Sequence, residues 1–114
     1  MTQDDKELLL KDLCSRLPFG VKVQDTYYKS LEPNPIWLLD LHAQCVRLFA
    51  DEGYQNIEYI KPYLFPISQV VEEIVTTSNK HIAVNVDFFH KNHIDYRGLI
   101  EKGLALDATN LNIY

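Results

Sequence analysis

The stretch that most constrains this chain is Ile57–Ser68, IEYIKPYLFPIS. It places Pro62 and Pro66 inside a dense run of aromatic and aliphatic side chains. Proline has no N–H to donate, and it biases its predecessor, here Lys61 or Phe65, away from helix. The run must therefore be extended. With two donors missing it is predicted to leave a sheet at its edge rather than lie at the centre throughout. Ile57, Ile60, Leu64 and Ile67, with Tyr59, Tyr63 and Phe65, offer apolar surface on both sides. Core and connection account for most of that surface, since aromatics mainly serve burial. The functional alternative is an aromatic binding lip with Tyr59, Lys61 and Tyr63 exposed.

The segments on either side alternate between helix and strand signals. Thr2–Leu17 reads as an amphipathic helix. Thr2 or Asp4 caps it, and Asp4, Asp5 and Glu7 sit at the positive end of its dipole. Leu9, Leu10, Leu13, Cys14 and Leu17 form its apolar stripe, and Lys11 and Arg16 suit its far end. Pro18 and Gly20 stop it. Val21–Tyr28 alternates as a half-buried strand. Residues 36–51 fit either a hairpin turning near His42–Gln44 or a helix framed by Asn34, Pro35 and Gly53. Ser68–Ser78 carries a helical stripe, and a second helix is predicted over Ile82–Asn92. Asp95 is predicted to cap a short helix over Tyr96–Lys102, ended by Gly103. Leu104–Leu106 is a short strand candidate, and residues 107–114 read as a loose tail.

These 114 residues fit a single domain, 1–114, able to bury one core. At 46% hydrophobic and 24% charged, the composition is that of a globular protein. No apolar run approaches the ~20 residues of a membrane span. The acidic start MTQDDKE is not a signal peptide, so the cytoplasm is the expected location. Cys14 and Cys45 are then expected as reduced, buried small hydrophobes. The net charge is −5 and the basic residues are scattered, so the electrostatic footprint of a nucleic-acid binder is missing.

Three stretches, LLLKDLCSRLPFGVKV, IEYIKPYLFPIS and HIDYRGLIEKGLAL, together carry a resemblance. In this order the chain resembles a family of small uncharacterised proteins of Bacteroides-type genomes, many of them in prophage or other mobile regions. The resemblance implies an α+β architecture: an N-terminal helix, a small antiparallel sheet of about three to four strands, then C-terminal helices. It is the reason residues 36–51 are read as strands. It brings no cofactor and no catalytic residue. The chain departs from the family at Phe65, where arginine is common, and at the QVVEE and FFHKNH stretches.

No catalytic signature stands out. Asp87, His90 and His93 lie at three-residue steps and would share a helix face within reach of a metal, with Asp95 as a further oxygen. A polar helix face with a histidine near its C-terminus is the simpler reading, so no metal is expected there. Asp40 and His42 are acid–base candidates only if they meet Asp87 and His90 in one pocket. Arg97 is expected to pair locally with Asp95 and Glu101. The sequence therefore favours a non-enzymatic protein whose partner is another protein, without cofactor or membrane, with homo-oligomerisation open. Its expected contact surface is Tyr27, Tyr28, Tyr59, Lys61 and Tyr63, because tyrosine gives large contact area at low entropy cost. A small metal-dependent or acid–base enzyme using Asp87, His90 and His93 is the alternative. A weak single-stranded nucleic-acid binder around Tyr27–Lys29 is another.

Overall fold

The computed structural model describes residues 1–27, 33–48, 53–67 and 86–114, with Val86 and Asp87 described for their backbone alone. Tyr28, Lys29 and the helix predicted over Ser68–Ser78 lie outside the described residues.

Helix α1 runs Gln3–Arg16. Thr2 caps it in a reciprocal box: the Asp5 amide donates to the Thr2 hydroxyl, and the Thr2 amide donates to the Asp5 carboxylate. Those bonds hold the Asp5 carboxyl below its usual range. Leu9, Leu10 and Leu13 are buried, as their spacing requires. A 3-10 turn, Leu17–Phe19, then ends at Gly20, whose φ of 70° is left-handed backbone that glycine enters freely.

The larger sheet has five strands among the described residues. They are β1 (Lys22–Asp25), β2 (Asn34–Pro35), β6 (Ile60–Pro66), β7 (Ile94–Asp95) and β8 (Leu106–Asp107). The hydrogen-bonded path is β2-β1-β6-β7, and β8 also pairs with β6. The double-proline run is thus the hub of the sheet and not a strand departing its edge. Side alternation explains how. Peptide groups along a strand point alternately to its two edges. Lys61 faces β1 opposite Gln24, so Pro62 turns its missing donor to the other edge. That edge is used by β8, and the Ala108 amide bonds there to the Leu64 carbonyl. Pro66, four residues on, faces the same way as Pro62. The Phe65 amide points oppositely and donates to the His93 carbonyl, which brings in β7. Neither proline therefore breaks a bond that the sheet makes.

β1 runs antiparallel to β6, whereas β7 and β8 run parallel to it. The sheet is therefore mixed, not antiparallel as expected. Parallel pairing follows because the chain returns to β6 through long connections rather than hairpins.

A second, antiparallel sheet orders β3 (Leu38–Asp40), β4 (Cys45–Arg47) and β5 (Gln55–Asn56). The expected hairpin is present, turning over residues 41–44 with Gln44 at φ 54°. Val46, Leu39 and Ile57 join Leu9, Leu13, Val23, Ile60, Leu64 and Leu99 in one core. Burial of this cluster, at ~25 cal/mol per Å² of apolar surface, holds both sheets against α1.

The C-terminal part departs most from expectation. Helix α2 is described over Val86–Lys91. Residues 96–98 are irregular and 99–103 form turns, instead of a helix. Asp95 does cap them, accepting from the Leu99 and Ile100 amides at 2.8 and 2.9 Å. Residues 107–114 are docked and not loose. Ala108 is buried, Lys22 Nζ donates to the Ile113 carbonyl, and Tyr114 reaches back into the sheet. The α+β class and the N-terminal helix stand, with less helix after the sheet than expected. Among the described residues no helix is long and apolar enough to cross a membrane.

Candidate functional site

Register decides what the small sheet shows to solvent. Leu39 lies opposite Val46, and Val46 opposite Gln55. These residues take the inner face, where Leu39 and Val46 pack into the core. The next row lies on the outer face: Leu38 opposite Arg47, and, continuing the register, Arg47 opposite Tyr54. Trp37 joins this row, its amide donating to the Arg47 carbonyl at 3.0 Å. The Arg47 guanidinium carbon sits 4.4 Å from the Tyr54 ring centroid and 5.6 Å from that of Trp37. Both are cation–π distances. Trp37 is 55% exposed and Tyr54 47% exposed, so the rings form a surface and not a core.

Arg47 makes no ion pair among the described residues. Its Nε is sealed from solvent without a hydrogen-bond partner there. The same-face carboxylate Asp40 is engaged elsewhere, accepting from the Ala43 amide at 2.9 Å. Cys45 lies beside it, and burial followed by the Asp40 charge pushes its thiol up. The sequence gives no simple sign of this array. Trp37, Arg47 and Tyr54 are far apart in the chain, and only the hairpin register brings them together.

Tyr27 is 57% exposed and meets Tyr59 edge-on at 5.0 Å. Tyr59 and Lys61 are half-buried. Tyr63 is only 6% exposed, and burial raises its hydroxyl. It faces the interior from the hub strand, so it leaves the expected contact surface. Tyr27 and Tyr59 remain as a smaller patch.

The expected ligand row does not gather. His93 lies beyond the end of α2, at a left-handed φ of 58°, so the three-residue spacing no longer runs along one helix. His90 Nε2 is 2.7 Å from the Tyr96 hydroxyl. His93 stacks on Tyr114 with centroids 3.6 Å apart. Asp87's side chain lies outside the description, and no group of three metal-binding side chains occurs among the described residues.

Two polar assemblies that the sequence did not foreshadow are internal. Asp12 and Arg16 are fully buried on α1, although Arg16 was expected only as a cation suited to the helix's C-terminal end. Asp12 accepts from Arg16 Nε at 2.8 Å and from Arg97 at 2.6 Å, so Arg97 pairs with α1 and not with Asp95 or Glu101. Arg16 also donates to the Phe89 and Ile94 carbonyls, tying α1 to α2 and β7. The second assembly is centred on Tyr114. Its hydroxyl accepts from the Lys22 amide at 2.9 Å and donates to the Tyr63 carbonyl at 2.7 Å. It thus bridges the rung that β1 and β6 would otherwise close directly. The residue is 43% exposed, yet this wedged hydroxyl is pushed up to about 12, mainly by burial.

Cys14 is exposed rather than buried, and Cys45 is half-buried; both are free thiols. Cys14 lines an open cleft of 510 Å³ between α1 and the hairpin turn, with Leu10, Lys11 and Leu41. No family model, curated protein or solved structure matches the chain.

Proposed function

We propose that this is a non-enzymatic binding protein acting through protein–protein contacts, with the outer face of β3–β5 as its contact surface. One observation carries the reading: the exposed rings of Trp37 and Tyr54 lie at cation–π distance from the half-buried Arg47. Tryptophan, tyrosine and arginine are the residues most enriched where interface energy concentrates. This array is preferred to the expected tyrosine surface because it is built by strand register and includes a cation. Cytoplasmic placement and a mobile-element origin belong to the same proposal. Two free thiols suit a reducing compartment, and the origin rests on the resemblance carried by the three stretches alone.

The test is capture from a Bacteroides-type host with wild-type bait, a Trp37→Ala/Tyr54→Ala bait and a Tyr27→Ala bait. A protein held by the wild type and by Tyr27→Ala but lost from the double variant is expected. Equal capture by all three, with all three folded by circular dichroism, refutes the surface.

A further inference from the structure

We propose that Arg47 receives a carboxylate side chain of an extended, acidic–apolar partner peptide, with Trp37 and Leu38 contacting the apolar residue beside it. This rests on the contact-surface reading above and names the partner's chemistry. A guanidinium presents a planar fork that matches a carboxylate with two parallel hydrogen bonds. Here the fork is held in place before any partner arrives. Tyr54 and Trp37 both lie near it, and Nε is sealed from solvent. A charge-assisted hydrogen bond beside apolar rings is stronger than one in open water. Asp40, a carboxylate on the same face, is bound to the Ala43 amide, and among the described residues no carboxylate pairs with the fork. Leu38, 40% exposed, lies directly across the ladder from Arg47 and supplies the apolar neighbour.

The same fork could hold a phosphate, but the surroundings favour a peptide. A nucleic acid needs several cations along its backbone. This chain carries a net charge of −5 with its cations scattered. A single carboxylate flanked by apolar side chains needs only one cation and a hydrophobic shelf.

The experiment titrates isotope-labelled full-length protein with acetyl-Leu-Glu-Leu-amide, its glutamine counterpart, inorganic phosphate and oligothymidylate. The Arg47 Nε–H and Trp37 indole resonances are followed. The glutamate peptide is expected to shift both signals saturably and to bind at least about tenfold more tightly than the glutamine peptide. Arg47→Gln should abolish that preference. Arg47→Lys, which keeps charge and stem but not the fork, should weaken it, with unfolding midpoints confirming that both variants fold. Equal binding of the two peptides, indifference to Arg47→Gln, or tighter binding of phosphate or oligothymidylate overturns the proposal. If the Trp37/Tyr54 variant loses its captured partner while Arg47→Gln keeps it, the carboxylate assignment falls and the contact surface stands. If neither variant affects capture, the surface itself has failed.

Discussion

His93 shows how much one side chain can impose on this fold. Burial, then the Arg16 and Lys22 charges, lower its pKa to about 4, and its Nδ1 finds no partner among the described residues. In the unfolded chain it takes up a proton near pH 6.5. Between those values the unfolded state binds more protons, so stability is lost as pH falls from 6.5 towards 4. Unfolding in urea is expected to show a loss of about 2 kcal/mol from pH 7 to pH 5. His93→Asn should flatten that slope, because asparagine does not titrate and tolerates left-handed backbone. Equal slopes in the two proteins would dismiss the effect. Asp12 is the second case. Asp12→Ala strands the buried Arg16 charge and is expected to cost about 3–5 kcal/mol by denaturant titration. A loss below about 1 kcal/mol would mean that Arg16 finds solvent. Neither role was legible in the sequence. A charged residue on a helix defaults to the outside, and only its partners, 73 to 85 positions away, bring it in.

At the scale of elements, local signals performed well where neighbours in sequence do the work. The Thr2 cap, the leucine stripe of α1 and the stop at Gly20 all depend on residues within a few positions. Over residues 36–51 local pattern slightly favours helix and only the resemblance points to strands; the described part holds β3 and β4. The hub role of β6 was misread because proline was weighed by number and not by direction. Pro62 and Pro66 share an edge, and the bonds on that edge run through Leu64 between them. Residues 107–114 looked loose because they lack periodicity, yet Tyr114 completes the β1–β6 ladder. Tyr114→Phe keeps the ring stacked on His93 but removes the bridge. It is expected to cost about 1–2 kcal/mol and to speed exchange of the Lys22 amide at least tenfold, read by hydrogen exchange. Unchanged Lys22 protection would show that the rung closes without the hydroxyl.

For the whole molecule, the two sheets divide the labour. The larger one is threaded through the core and spends its tyrosines and charges on holding the chain together. The smaller one buries its inner face and leaves Trp37, Leu38, Arg47 and Tyr54 outside. Of the aromatic surface expected from the sequence, Tyr63 is buried and Tyr27 and Tyr59 remain as a smaller patch, since spacing cannot say which face a strand turns to water. The most direct measurement is the affinity of the captured partner, by calorimetry, for wild type and for Trp37→Ala/Tyr54→Ala. The account predicts at least a tenfold loss, about 1.4 kcal/mol or more, with an unfolding midpoint close to wild type. Affinities within about twofold of each other would contradict it.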